Sequence, residues 1–338
     1  MSGIDSGNLV LQGADSFIFY DDRIFAYDDM ISVSVPNAEM QDLKGAVKAE
    51  EFFKIISKMP SEEIRLEVSD KNTWILKSRK ARAELALVDF DYENRLNEIK
   101  ISDDWIKVGD DFISGINFCK MSKNSTPLSG IYVKENHIMS TDGFQMNRFE
   151  LKDSSLPEFW ISDKSVAELS KFSELNNVQV QGNWVHFKSE NNVVFSLKTL
   201  TATNYPFDKV NGLVENVNFA GMIHGEFPKG LKEVIERANV FDMNLESHSA
   251  VKLVFDGEGV EVSSANAVGN YSEKLLWEDG NKNFEKFELY VDSGMIVSAS
   301  QKALEFYLQT FADKKAPRLY FVTDSSVHLM STIILNKE

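Results

Sequence analysis

Short runs of alternating apolar and polar residues, separated by Asp, Asn and Gly turns, occupy most of this chain and are interrupted by a few amphipathic helical stretches. The order helix, strands, helix, strands appears twice in full at a period of roughly 110 residues, far above the ~20–50 residues of a solenoid unit. Identity between the copies is weak, so the recurrence is one of architecture. Period-two strands with helices covering one face predict an α+β chain of mostly antiparallel sheets. At 338 residues the chain exceeds one ordinary core, and domains of roughly 100–150 residues each divide it into three.

In the first third, SFIFYDDRIFAYDDMISVSVP (16–36) predicts three strands broken at Asp21-Asp22 and Asp28-Asp29. GAVKAEEFFKIISKMP (45–60) predicts a helix, with Phe52, Phe53, Ile56 and Met59 at helical spacing and Pro60 closing it. IRLEVSD and TWILKSRKARAELALV then return to strand periodicity. The middle third opens with an amphipathic stretch, WIKVGDDFISGINFCKMS (105–122), followed by strands in GIYVKENHIMSTDGFQMNRFEL. A second helix, DKSVAELSKFSEL (163–175), precedes the strands VQVQGNWVHFKS and VVFSLKTL. The last third begins with a helix, PKGLKEVIERANVF (228–241), before the strands AVKLVFDGEGVEVSSAN and GNYSEKLLWED. A long helix, SGMIVSASQKALEFYLQTFAD (293–313), precedes PRLYFVTD and SVHLMSTIIL. Pattern breaks at Asn97–Asp103 and Tyr205–Val214 place the domains at 1–100, 101–212 and 213–338.

The net charge is −16, from 36 basic and 52 acidic residues. This argues against a protein that grips DNA through a broadly basic surface, though not against basic groups gathered on one concave face. The single Cys119 excludes a disulfide framework and a Cys-based zinc cluster and suggests a reducing compartment. No apolar run approaches the ~20 residues that span a bilayer. The opening MSGIDSGNLV lacks the basic and apolar regions of a signal peptide. A cytoplasmic protein is expected.

No catalytic motif is present: there is no Walker-type glycine loop, no Gly-x-Ser-x-Gly elbow and no His-Glu-x-x-His. The histidines His137, His186, His224, His248 and His328 lie at least 24 residues apart. Asp103-Asp104 is expected at a helix start, where carboxylates satisfy free N–H groups, and Asp110-Asp111 lies beyond it. Thr141-Asp142-Gly143 is expected to be a hairpin turn, because Phe144, Gln145 and Met146 do not supply the further carboxylates of a calcium loop. Neither enzymatic activity nor a metal or cofactor is expected.

STDGFQMNRFEL (140–151) resembles the Thr-Asp-Gly turn and following strand in the middle domain of bacterial and phage sliding clamps, the β subunits that keep a replicative DNA polymerase processive. YPFDKV (205–210) resembles the segment entering their third domain, and LKEVIERANVF (231–241) that domain's first helix. GAVKAEEFFKIISKMPSEEIRLEV (45–68), followed by SRKARAEL (78–85), is similar to the first domain in its phage form. The resemblance implies three similar clamp domains per subunit and a head-to-tail homodimer. Its ring would carry sheets outside and helices lining a hole for duplex DNA. The implied partners are double-stranded DNA held topologically without sequence preference, a DNA polymerase and a clamp-loader ATPase. The implied location is the cytoplasm of a bacterial or phage-infected bacterial cell, with no membrane contact.

For the ring interior the resemblance implies cations, and the helices offer Lys54, Lys58, Lys164, Lys171, Lys229, Lys232, Arg237 and Lys302. The densest basic run adds Arg79, Lys80 and Arg82, which can form one patch only if the chain turns there. For any one of these lysines taken alone, an ordinary solvated helix face is the better reading. A partner-peptide pocket is implied at Leu128, Thr141, Gly143, Phe144, Met146, Pro206, Lys209 and Val210, with Met295 and Met330 on the other side. Methionines suit an adaptable groove, and they also suit a core. Val240 and Phe241 are implied at the subunit contact, or else they finish the helix's core stripe. Phe144-Gln145 stands where bacterial relatives often carry His-Arg, which implies a more apolar floor. The ending SSVHLMSTIILNKE lacks the Met-Pro-Met-Arg-like terminus common in bacterial clamps. The strand and helix that open the first domain in the family have no counterpart before SFIFY, so the chain is a shortened form or a partner supplies that piece. Two rival functions remain: a clamp-like auxiliary or decoy that does not encircle DNA alone, and an unrelated β-rich enzyme with a site assembled from distant loops.

Overall fold

A computed structural model describes residues 13–39, 42–60, 63–69, 72–89, 91–121, 126–243, 249–278, 285–311 and 316–334. His248 and the opening residues 1–12 lie outside these ranges.

The described chain begins with three strands, β1 (Ser16–Tyr20), β2 (Arg23–Asp28) and β3 (Ile31–Pro36). A five-element unit follows, β4 (Gly45–Lys48), α1 (Ala49–Lys58), β5 (Arg65–Ser69), β6 (Thr73–Lys77) and β7 (Arg82–Ala86). After the connecting helix α2 (Tyr92–Glu98), the same β-α-β-β-β order returns as β8 (Ile106–Lys107), α3 (Phe112–Cys119), β9 (Ile131–Glu135), β10 (His137–Thr141) and β11 (Gln145–Glu150). It returns again as β12 (Leu156–Ile161), α4 (Asp163–Leu169), β13 (Asn177–Gln181), β14 (Trp184–Lys188) and β15 (Val194–Lys198). A short helix, α5 (Phe207–Asn211), leads to β16 (Ile223–Glu226), α6 (Leu231–Ala238), β17 (Ala250–Phe255), β18 (Gly259–Ala265) and β19 (Asn270–Leu276). The last copy is β20 (Phe287–Asp292), α7 (Ser293–Lys302), β21 (Glu305–Gln309), β22 (Arg318–Val322) and β23 (Ser326–Ser331). Among the described residues the motif is complete five times, and β1–β3 stand without a leading strand and helix. The α+β architecture with mostly antiparallel sheets is as the alternation predicts, but the repeat is finer than the sequence period.

The chain forms two compact units, Met1–Ile113 with Ser154–Ala202, and Ser114–Asp153 with Thr203–Glu338. In the first, strands run in the order β4-β1-β2-β3-β15-β14-β13-β8, beside a smaller sheet β5-β6-β7. Phe195 of β15 lies opposite Val33 of β3, so the first and middle thirds share one sheet. Phe19 packs edge-on to Trp74 at 4.8 Å and to Phe52 at 5.5 Å, joining β1, β6 and α1 in a common core. In the second unit the order β9-β10-β11-β23-β22-β21-β16 adjoins a four-stranded sheet, β19-β18-β17-β20. Its core gathers around Phe227, Phe255, Phe306 and Phe321, with Leu231, Val234, Ile235 and Ala238 of α6 facing inward at helical spacing.

Local chemistry sets most boundaries. Ser162 Oγ accepts the Ser165 N–H at 3.3 Å to start α4, and Asp292 Oδ1 accepts the Met295 N–H at 2.9 Å to start α7. α1 ends where Met59 turns extended ahead of Pro60. Three expectations are corrected. The helix proposed for 293–313 stops at Lys302, and Glu305–Gln309 is strand β21. Phe306 and Leu308 face the core while β16 and β22 supply ladder bonds on both sides, so pairing overrides helical spacing. The stretch 105–122 is helical only over Phe112–Cys119. Asp103-Asp104 therefore precedes the short strand β8, and the pair before the helix is Asp110-Asp111. Phe53 and Ile56 do not share the buried face of α1 with Phe52: Phe53 is 67% and Ile56 38% exposed. Phe52 packs on Phe17, Phe19 and Trp74, whereas Phe53, about 100° further round the helix, turns away from that cluster.

His186 is fully buried between β13 and β15, its Nδ1 bonded to Ser196 Oγ at 2.8 Å. Burial pushes its pKa down to about 4, and His328, also buried, is lowered too. The fold holds these imidazoles neutral whereas the unfolded chain takes up protons below about 6.5. Their stabilisation is thus complete above that pH and lost on acidification toward 4. Urea unfolding of the wild type is expected to weaken by about 3 kcal/mol from His186 alone between pH 7 and 4, and His186→Gln should flatten that slope.

Candidate functional site

The β10–β11 turn is built by its own side chains. Asp142 Oδ1 accepts the N–H groups of Phe144 at 2.9 Å and Gln145 at 2.8 Å, and Asp142 Oδ2 accepts Gln145 Nε2 at 2.9 Å. Thr141 Oγ1 donates to the Gln145 carbonyl at 2.8 Å and accepts the Gly143 N–H at 3.1 Å. Gly143 has φ +92°, a conformation that glycine adopts without a Cβ clash. The outcome is the expected hairpin turn, and it holds the Phe144 ring 52% exposed. The Phe144 carbonyl accepts the Ser331 N–H at 2.9 Å, tying the turn to the end of β23. Gln145 lies opposite Met330 and Met146 opposite Leu329.

α5 enters the same unit through stacked rings. Tyr205 lies face to face on Tyr132 of β9 at 4.3 Å, Phe207 lies 5.6 Å from Tyr132, and Lys134 Nζ sits 4.8 Å over Phe207. This places Pro206 half-buried, Val210 buried and Lys209 exposed. Thr141, Gly143, Phe144, Met146 and Met330 are therefore brought together by the β10–β11–β23 register, and Pro206, Lys209 and Val210 by α5. Leu128 is half-buried just before β9. Met146 and Met330 are sealed from solvent at 1% and 0%, and Met330 and Met295 pack in the cluster around Phe227.

The expected cations are mostly committed to the chain's own carboxylates. Lys54 pairs with Glu50, Arg82 with Glu84 at 2.6 Å, Lys164 with Asp28 at 2.9 Å and Lys171 with Glu168 at 2.6 Å. Lys229 pairs with Glu278 at 3.0 Å and Lys232 with Glu236 at 3.8 Å. Arg237 grips Glu273 through Nη2, at 2.8 and 2.9 Å, and through Nε at 3.1 Å, while Nε also donates to Tyr271 Oη at 2.8 Å. The Glu278 and Glu273 carboxylates raise the pKa of Lys229 and Arg237. Paired charges cancel beyond a Debye length of about 8 Å, so these groups contribute little to a long-range field. Arg79 and Lys80 occupy the β6–β7 turn, closed by the Ser78 N–H on the Ala81 carbonyl at 2.8 Å. With Lys58, these two form no ion pair among the described residues. The required turn is present.

Lys302 turns inward, unlike its expected place on an open DNA-facing surface. Its ammonium reaches Asn147 Oδ1 and lies 4.7 Å over the Phe118 ring. His328 Nδ1 shares Asn147 Oδ1 at 2.7 Å, which fixes that nitrogen as a donor, since the oxygen only accepts. Asn147 Nδ2 donates to Ser140 Oγ at 3.1 Å, and Ser140 donates to the Cys119 carbonyl at 2.5 Å. Burial lowers the Lys302 pKa to about 8 and raises the Cys119 thiol to about 12. This chain of hydrogen bonds ties α3, β10, β11, β23 and α7. The sequence held no signal for it, because its members are 119, 140, 147, 302 and 328. Val240 is 73% exposed beyond α6, while Phe241 lies over Gly269, where a Cβ would stand 2.7 Å from the ring.

No family model matches the chain, and no curated protein matches it. Solved structures do. A β sliding clamp from C. crescentus superimposes with TM-score 0.78 at 15% identity, covering 99% of this chain and 95% of that one. The DNA polymerase sliding clamp from Bacillus subtilis gives TM-score 0.74 at 18% identity, covering 98% and 94%. A Helicobacter pylori β clamp bound to a DNA ligase peptide gives 0.69 at 17%, also covering 98% and 94%. The fold is that of the bacterial DNA polymerase sliding clamps.

The exposures separate surface from core at the β10–β11 turn. Phe144→Ala is expected to change unfolding free energy by less than about 0.5 kcal/mol. Met146→Ala, at a sealed position, is expected to cost about 2–5 kcal/mol. Equilibrium denaturation of both variants checks the contrast.

Proposed function

We propose that this protein is a non-catalytic sliding clamp of the phage type that encircles duplex DNA and tethers a replicative DNA polymerase for processive synthesis. The observation that carries this is the likeness to clamps over nearly the whole chain, joined to the β-α-β-β-β motif repeated along it. On this reading the chain comprises clamp domains 1–100, 101–212 and 213–338, and two copies close a ring in the cytoplasm of a bacterial or phage-infected cell. Val240, exposed beyond α6, and Phe241 beside it lie at the subunit contact.

Net charge −16 and internally paired cations favour topological retention over adhesion. A closed ring needs only a weak positive inner face, and phosphate contacts carry no sequence information. Lys58, Arg79 and Lys80 are the strongest contributors to that face, with Lys54, Arg82, Lys164, Lys171, Lys229, Lys232 and Arg237 secondary and Lys302 occupied elsewhere. Polymerase and clamp-loader peptides engage the surface around Phe144, Leu128, Pro206, Lys209 and Met295, supported from below by Thr141, Gly143, Met146, Val210 and Met330. Tethering acts through effective concentration: a polymerase held at the template rebinds before it diffuses away.

The rival reading is a clamp-like auxiliary that binds clamp partners without encircling DNA alone.

The protein, loaded by its cognate loader onto nicked circular DNA, is expected to stay bound until the circle is linearised and then to run off the ends. Release that ignores linearisation points to the auxiliary instead. Phe144→Asp should weaken a polymerase-derived peptide at least tenfold, about 1.4 kcal/mol, by placing a charge in an apolar contact. Val240→Asp should instead shift sedimentation from dimer toward monomer and leave the peptide affinity unchanged.

A further inference from the structure

Lys302 is the only ionisable side chain on α7, whose sequence is SGMIVSASQK, and it stands at the end of that helix. It is partly buried and forms no ion pair among the described residues. Its ammonium carries three N–H donors, and the surrounding side chains present one oxygen. That oxygen, Asn147 Oδ1, also takes the N–H of His328 Nδ1 at 2.7 Å. The Asn147 amide is held in this orientation: its Nδ2 donates to Ser140 Oγ at 3.1 Å, and the Ser140 proton goes to the Cys119 carbonyl at 2.5 Å. The other contact of the ammonium is the Phe118 ring, 4.7 Å away.

No anion compensates the charge. α3 contributes the Cys119 thiol, kept neutral by burial, and β23 contributes the His328 imidazole. His328 Nδ1 donates, so its Nε2 holds the lone pair, and that atom is buried with no partner among the described residues. Protonating it would set a second bare charge beside the first. The remaining elements around α7 spend their charges elsewhere. On α6, Lys232 pairs with Glu236 and Arg237 with Glu273, while Glu233 is exposed. On β20, Glu288 pairs with Lys252, and Asp292 caps the opposite end of α7. Glu305 of β21 meets His224, and Arg318 of β22 lies over Phe311. On β11, Arg148 and Glu150 pair with each other on the face opposite Asn147, and Arg148 also meets His137 of β10. The site therefore suits a neutral amine, which asks for fewer acceptors, better than an ammonium.

We propose that Lys302 is a proton-operated latch. As the neutral amine it stays seated on Asn147 and Phe118 and fastens the end of α7 to α3 and β11. As the ammonium it is drawn along its flexible stem toward water, and the end of α7 loosens. The proposal goes beyond the clamp function, and its test needs neither DNA nor a loader, so either can fail without the other.

The direction of the pH effect follows from where the proton sits. The unfolded chain keeps the Lys302 proton up to about 10.5, whereas the fold releases it near 8. Between those values the unfolded state binds more protons, so stability is lowest below pH 8 and rises with pH across the window. The full separation corresponds to about a 300-fold change in the unfolding constant.

Lys302→Met keeps the length of the side chain and removes its charge. Urea unfolding is expected to find this variant more stable than the wild type at pH 7, with the ratio of their unfolding constants shrinking by about tenfold or more by pH 10. Hydrogen exchange over residues 299–305, compared at equal pH, is expected to be about fivefold or more faster in the wild type at pH 7 and equal at pH 10. Asn147→Asp, which supplies a carboxylate, should remove the gain on raising the pH. A wild type more stable than Lys302→Met at pH 7, a ratio indifferent to pH, or equal exchange at pH 7 would overturn the proposal by making the ammonium a fixed clamp. Should Lys302→Met fail to fold, NMR of the lysine side-chain carbons decides, with the Lys302 signal identified by its loss in Lys302→Arg. Titration well below the other lysines supports the latch, and titration together with them overturns it.

Discussion

Lateral antiparallel pairing between distant thirds of the chain is the constraint on which the rest of the structure depends. β3 binds β15, and β11 binds β23, through full ladders. A three- or four-stranded sheet ending at β3 or β11 would leave a row of free N–H and C=O groups. Pairing those edges satisfies the backbone and carries one sheet from one third of the chain into another. The compact units therefore cut across the sequence thirds. Once the edges are joined, the face beneath each sheet must be covered, and the leading helices of the repeated motif provide the cover.

Electrostatics obeys a similar economy. Cations on α1, α4 and α6 meet carboxylates one turn away or on the adjacent strand, as in Lys171–Glu168 and Arg237–Glu273. Such exposed pairs add little stability, about 0–1 kcal/mol each, but they lower the field that these faces project. Lys302 is the exception. Set against Asn147 and Phe118, it belongs to the polar network around Asn147, and its depressed pKa is the consequence of burial. On the proposed clamp reading, weak inner attraction is compatible with mobility along a polyanion, whereas many free phosphate contacts would slow it.

Much of this was legible from residue order. Asp21 and Asp28 mark the turns that separate β1, β2 and β3, and Thr141-Asp142-Gly143 closes a hairpin because the Asp carboxylate satisfies two neighbouring N–H groups. Those signals are local, so no distant partner is needed to interpret them. The segment 303–313 misled because its apolar residues fit helical and strand spacing alike, and only β16 and β22 on either side settle it as β21. Phe53 misled for the opposite reason. Its surroundings include β2, β3, α4 and β15, none of them near it in sequence. Of the residues proposed for partner binding, the turn around Phe144 was visible as a motif, whereas the sealing of Met146 and Met330 follows from a cross-strand register that no single-chain pattern encodes.

The amino-acid sequence by itself determined the alternation, the turns, the helix starts at Ser162 and Asp292, and the absence of familiar catalytic motifs, because each is set by residues within a few positions of one another. Only the tertiary structure decided which edges join, which cations are neutralised and which methionines are core. Those outcomes depend on groups brought together across a hundred or more residues, such as Lys164 with Asp28 and Lys302 with Asn147, and on burial that exists only after the strands have paired.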